Sequence, residues 1–345
     1  MQKQKFSSSN VSELNISKAM TILFLIGGLS VSGNLHGQAT DGFKPGGKPE
    51  VRIFTSFGTT FSGGESHASF NLGRAYLGYS YNFSEKLSGR IVYDVADQSA
   101  GNFKFTGLLK FAYLRFQTDR WTVTGGMIPL PEYAYAEKKW GYRYIYKPSH
   151  DIYGFGGPSD LGISVACKIT PWISADVTLM NGEGFKLTEA DSTFKESAGI
   201  TFTPLKNLSL RGYFDHMRKD GTSQQTLEFF ASYETGSAGI STSYHYRRNN
   251  GLADGHDYYG FSVNGRVTVN DKISIIGRYD FTTSVKLENE DDPWKLSDDG
   301  QLFLAGFEFS LASGVSLAPN FRGWWPSDPE MPFIANFLVS LDLKI

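Results

Sequence analysis

Beyond residue 49 the apolar residues of this chain fall on every second position, and the positions between them are repeatedly charged. A period of two marks strands whose two faces meet different surroundings. In SLRGYFDHM (209–217), Leu210, Gly212 and Phe214 share one face, while Arg211, Tyr213 and Asp215 share the other. ISIIGRYDF (273–281) sets Ile275, Gly277, Tyr279 and Phe281 against Arg278 and Asp280. DYYGFSVNGRVTV (257–269) sets Tyr259, Phe261, Val263, Val267 and Val269 against Ser262, Asn264 and Arg266. The charged face recurs with Arg74, Arg90 and Asp94, Arg115, Asp176 and Arg322. A dry interior cannot absorb so many ions without a partner for each. A water-filled lumen can, while lipid takes the apolar face, so the pattern predicts an all-β transmembrane antiparallel barrel.

The alternation predicts about sixteen strands, over 50–62, 68–82, 87–98, 104–118, 121–130, 159–169, 172–181, 195–204, 207–218, 224–235, 238–248, 257–270, 273–284, 300–311, 315–325 and 332–345. An even number is what a bacterial outer-membrane barrel requires, and no segment shows a clear helical period. Connections alternate in length. Tight ones are NFSEK (82–86), TDR (118–120), ITP (169–171), PLKN (204–207), TGSA (235–238), VNDK (269–272) and ASGV (312–315). Longer ones lie between them: 62–68, 98–102, 131–158, 181–194, 218–224, 247–257, 287–299 and 326–331. Short periplasmic turns and long outer loops produce this sorting, whereas a soluble sandwich has no reason for it. Trp121 and Trp172 open strands on the short-turn side, and Trp324 and Trp325 close one on the loop side, as interfacial aromatics do. The final segment, IANFLVSLDLKI (334–345), alternates to its last residue and is expected to pair with PEVRIFTSFGTTF (49–61), closing the barrel and leaving no edge.

Residues 1–37 read as a signal peptide: Lys3, Lys5 and Lys18 precede or border the apolar run 19–31, and small residues follow. That run is too short to span about 30 Å of hydrocarbon. Residues 38–48 are expected to form a short periplasmic segment, too small for a plug, and 49–345 the barrel. Without the leader the chain carries 30 basic and 34 acidic side chains, which argues against a nucleic-acid partner. The single Cys167 forms no internal disulfide.

The stretches LLKFAYLRFQ (108–117), TGGMIPLPEY (124–133), WGYRYIYKPSHDIYGFGGPSDLGISV (140–165), NGEGFK (181–186), ADSTFKESAGITFTPLKNLSLRGYFD (190–215) and SLAPNFRGWW (316–325) resemble the Gram-negative phosphate-selective porin O/P-like family. The resemblance implies a sixteen-stranded barrel, often a homotrimer, with the third outer loop folded into the pore. Phosphate-specific members carry a ladder of pore arginines and a cluster of lysines. Here the loop offers the pair Lys138–Lys139 without a dense basic cluster. Independently, 131–158 is the longest outer connection, and loops of that length are usually functional.

The expectation is therefore a passive porin for small hydrophilic solutes or ions, mildly anion-preferring, resident in the outer membrane among lipid and lipopolysaccharide, with no cofactor and no metal. Its constriction is expected at Lys138, Lys139, Arg143 and Lys147. Its wall is expected to carry Arg74, Arg90, Asp94, Arg115, Arg211, Asp215, Arg266, Arg278, Asp280 and Arg322, any of which can equally serve in structural ion pairs. The rivals are a barrel hydrolase and an adhesin or accessory barrel of a surface complex. Ser243 and His245 share a face, but an orienting acid is not visible in sequence; Asp215 and His216 point to opposite faces. The acidic stretch 287–300 lacks calcium-loop spacing and reads as a solvated face.

Overall fold

A computed structural model describes residues 43–96, 105–190 and 192–345. The expected signal peptide, residues 38–42 of the segment after it and the whole connection over 98–102 lie outside the described residues. Sixteen antiparallel strands form one closed barrel: β1 Gly46–Ser62, β2 Glu65–Asn82, β3 Leu87–Val95, β4 Gly107–Gln117, β5 Trp121–Pro129, β6 Ser159–Thr170, β7 Ile173–Met180, β8 Lys195–Leu205, β9 Leu208–Lys219, β10 Thr222–Glu234, β11 Ala238–Arg248, β12 Tyr258–Asn270, β13 Ile273–Ser284, β14 Gly300–Ala312, β15 Val315–Pro326 and β16 Ile334–Lys344. Each strand pairs with its sequence neighbours, and β16 closes on β1 with Phe57 opposite Val339 and Ser56 opposite Ser340. The first strand begins at Gly46, inside the segment expected to precede the barrel.

The pleat sorts the two faces as the alternation requires. Phe214, Ile275, Phe261, Val267, Phe303 and Phe337 are exposed on the outside, while Arg211, Asp215, Arg278 and Asp280 are buried inside. An outer surface of that kind is stable only against lipid, because in water each large apolar side chain forgoes about 1.5–3 kcal/mol of burial.

The structure departs from the sequence expectation in three places. First, the connections expected as loops over 62–68 and 218–224 are two-residue turns, Gly63–Gly64 and Asp220–Gly221, and the strands run on around them. All four residues have positive φ, as a hairpin turn matching the strand twist demands. Second, the 131–158 connection contains two helices, α1 (Pro131–Trp140) and α2 (Ser149–Ile152). Third, Trp325 faces outward, but Trp324 turns inward to stack on Tyr153 with ring centroids 6.2 Å apart. Adjacent strand residues cannot both reach the lipid interface.

Candidate functional site: a lumen bridged by the third loop

Local chemistry explains α1. Pro131 sits at its first turn with Glu132, Lys138 and Lys139 occupy the last turn, and Gly141 ends it in the left-handed conformation, its N–H donating to the Glu137 carbonyl. The buried stripe is Glu132, Tyr133, Ala136 and Trp140. That spacing is helical, but the carboxylate within it hides the apolar period that sequence reading depends on.

From α1 the loop crosses the lumen. Tyr133 and Leu130 pack with Ile128 of β5 and Met180 of β7. On the far side Trp140, Tyr142, Tyr144 and Ile145 pack with Phe54 of β1, Ile276 of β13, Leu304 of β14 and Ala318 of β15. Tyr153 and Phe155 join Tyr258 of β12. Polar bonds fasten the same bridge. Lys139 pairs with Glu234 of β10 at 2.7 Å, Tyr144 donates to Glu308 of β14 at 2.9 Å, and Tyr153 donates to Asp280 of β13 at 2.9 Å. Arg247 of β11 donates to the carbonyls of Gly154 and Phe155.

Of the four loop cations expected at a constriction, Lys138 is the exposed one. Arg143 is buried, 3.1 Å from Asp151 and 3.4 Å from Glu137, and it also donates to the Tyr133 hydroxyl. Lys147 lies 3.7 Å from Asp151, and burial lowers its ammonium below the usual lysine range. Lys139 is taken up by Glu234.

The wall residues divide into two groups. Arg74 pairs with Asp94 (3.2 Å), Arg90 with Glu50 (2.6 Å), Arg211 with Asp176 (2.7 Å) and Arg278 with Asp280 (2.6 Å). Asp215 is buried and accepts from the Tyr213 hydroxyl at 3.2 Å. Among the described residues no carboxylate pairs with the others. Arg115 donates to Thr124, Arg266 lies 3.5 Å from the Thr268 hydroxyl, and Arg322 sits 4.6 Å over the Tyr146 ring.

Two open spaces lie inside the barrel beside the loop. The larger, about 800 Å³, is lined by Lys48, Arg52, Arg90, Lys110, Lys138, Arg143 and Lys344 against only Glu50 and Glu137, with Tyr76, Phe111 and Tyr133 between them. The smaller, about 300 Å³, is lined by Lys138, Lys139, Arg266, Glu234 and Glu308. Lys138 borders both. Sequence reading did not single out Arg52, Lys110 or Tyr76. Arg52 carried a usable signal, since alternation places it with Phe54 on the inner face. Lys110 did not, because counting back from Arg115 puts it outside; a break in register opposite Val92 and Tyr93 turns it inward.

Gly199 of β8 shows how one ion pair is seated. It lies opposite Asp176, and the Arg211 guanidinium crosses it to reach that carboxylate. A Cβ at 199 would collide with Arg211 and stand 2.9 Å from an Asp176 oxygen. Gly199→Ala is expected to lower the urea midpoint of the folded barrel by an amount equivalent to about 1–3 kcal/mol, the range for overpacked sites, followed by tryptophan fluorescence.

Beneath the loop lies a sealed polar cluster. His150 Nε2 is 3.3 Å from Glu132 Oε1, and His245 Nδ1 is 3.3 Å from Glu228 Oε2. Ser149 and Ser243 approach His245 Nε2 at 3.1 and 2.9 Å. Burial, then the neighbouring Glu228, push the Glu132 carboxyl well above the usual range. Burial, then His245, Arg143 and Arg278, hold His150 well below the usual imidazole value. Glu228 is thus the acid beside His245 that sequence reading lacked, because only the β10–β11 register sets it opposite. Yet His245 and Glu228 are fully buried, and the adjoining void of about 20 Å³ has room for a water molecule but not for an acyl substrate.

A closed sixteen-stranded antiparallel barrel crossed by an inward-folded loop has the fold of outer-membrane channels. Similar solved structures include the outer-membrane channel DcaP of Acinetobacter baumannii (TM-score 0.67, 11% identity, covering 89% of this chain and 99% of that one). The anion-selective porin of Comamonas acidovorans is similar at TM-score 0.65 and 12% identity, covering 88% and 100%. OprB of Pseudomonas putida is similar at TM-score 0.69 and 10% identity, covering 87% and 94%. No protein-family model matches the chain, and no curated protein matches it by sequence.

Proposed function

We propose that the protein is a passive outer-membrane porin that favours small anionic solutes. The observation that carries this reading is the 800 Å³ space beside the loop, lined by seven basic side chains and two carboxylates. Walls of low dielectric focus such a field on solutes passing between them. The anion-selective porin of Comamonas acidovorans shares the fold, and the resemblance to phosphate-selective porins points the same way. Export by a cleaved leader, a bilayer containing lipopolysaccharide and assembly as a homotrimer belong to the same reading. The constriction is formed by Lys138 and Arg143, while Lys139 and Lys147 hold the loop through Glu234 and Asp151.

Purified protein added to a planar bilayer is expected to give stepwise, ohmic conductance. Under a potassium chloride gradient the reversal potential should carry the sign of chloride preference. A folded barrel that stays silent would remove the channel reading; a cation-selective reversal potential would remove the anion preference.

A further inference from the structure

We propose that Glu132, His150, Glu228 and His245 form a proton-operated latch that fixes the third loop to the β10–β11 wall and so sets how far the lumen is narrowed. Two members come from the loop and two from the wall. All four are fully buried or nearly so, and facing atoms of each pair, including Glu132 Oε1, His150 Nε2, Glu228 Oε2 and His245 Nδ1, lack a well-aligned hydrogen bond. The imidazole rings lie 6.2 Å apart, with Ser149 and Ser243 between loop and wall. A polar cluster so poorly satisfied costs free energy wherever it is buried, and here it sits at the joint between a loop and its support. Among the described residues no three such side chains converge as metal ligands would.

The surroundings decide what the protons do. Arg211 and Asp215 of β9 face Glu132, while Arg143 of the loop and Arg278 of β13 face His150. Around His245 stand Arg247 of β11 and Asp280 of β13. In the seated loop Glu132 keeps its proton and His150 remains neutral, so the pair holds one proton. Released into water, the two titrate at their ordinary values, 4.5 and 6.5. The released pair then holds two protons below 4.5, one between 4.5 and 6.5, and none above 6.5. Because stability follows the difference in bound protons, the seated loop is favoured most between those two values. Above 6.5 release liberates one proton, and the ratio of released to seated loops rises about tenfold per pH unit for this pair. Below 4.5 release takes one up, with the same consequence.

The closure of the lumen by this latch rests on the channel reading, but the latch itself has an independent readout. Spin labels at Ala134→Cys, exposed on the loop, and Asp254→Cys on the outer rim, in a Cys167→Ser background, report their separation by double electron–electron resonance. In vesicles the distribution should be narrow at pH 5.5 and gain a second population at pH 8.5. Glu132→Gln removes one retained proton and leaves His150, so its second population should begin to grow below pH 6.5 rather than below 4.5, and should rise less steeply toward pH 8.5 than the parent's. A distribution unchanged from pH 4 to 9, or a Glu132→Gln profile identical to the parent's, would overturn the latch. Conductance recorded in parallel separates the two readings: steps with an invariant distance overturn the latch alone, whereas a pH-dependent distance without conductance overturns the channel and leaves the loop movement standing.

Discussion

Replacing Arg278 or Asp280 singly with alanine is expected to cost about 3–5 kcal/mol of barrel stability, the range for breaking a buried ion pair by removing one partner. The pair lies on one face of β13, two residues apart, and both side chains are almost inaccessible to solvent. Asp280 receives two bonds from the guanidinium Nε, at 2.8 and 3.0 Å, and one from Nη2 at 2.6 Å. It also accepts from Ser262 of β12 at 2.6 Å and from Tyr153 of the loop. Arg278 in turn donates to the Lys147 carbonyl at 2.5 Å, and its guanidinium lies 5.0 Å from the Trp140 ring. Truncating Asp280 therefore strands a cation under aromatic rings, and truncating Arg278 strands a carboxylate. Urea unfolding of the single variants and of an Arg278→Met/Asp280→Leu double variant measures this. The double variant should recover part of the loss, since an apolar pair of similar volume removes the desolvation cost with the charges but leaves the Ser262 and Tyr153 hydroxyls and the Lys147 carbonyl without their partners. Single losses below about 1 kcal/mol would mean that lumen water screens the pair as it would at an exposed surface.

The same residues show which parts of the molecule were legible from sequence. The barrel was, because two different media impose an alternation that survives along most of each strand, and β16 closing on β1 follows once no edge is allowed. Arg278 and Asp280 are neighbours on one face and could be paired on sight. Arg211 and Asp176 could not, for they meet across β8 at a glycine whose importance appears only when three strands are in register. Lys110 was hidden by a bulge, and α1 by a carboxylate on its buried stripe. The two hairpin turns were misread for a different reason: Gly-Gly and Asp-Gly are strong turn signals, but polar flanks such as ESHA and RK look like loop when their strands extend beyond the apolar belt.

Reversing one charge, Lys138→Glu, is expected to change the anion-to-cation permeability ratio by about tenfold toward cations. Lys138 is exposed, borders both spaces beside the loop and, among the described residues, has no carboxylate partner. A unit charge about 7 Å from a passing ion contributes about 0.6 kcal/mol in water, so a reversal amounts to about 1.2 kcal/mol. Salt at about 0.1 M roughly halves that. About 0.6 kcal/mol against anions and as much in favour of cations together give the tenfold change. Lys139→Glu behaves differently: it removes the bond to Glu234 and sets two carboxylates side by side at the foot of α1, so it is expected to loosen the loop before it alters selectivity. Reversal potentials of the two single variants in planar bilayers, with current noise recorded alongside, distinguish these roles. A large shift from Lys138→Glu with quiet channels, against a small shift from Lys139→Glu with noisy ones, assigns selectivity to the first lysine and loop support to the second. Equal shifts would mean that Lys139 leaves Glu234 and faces the solute path.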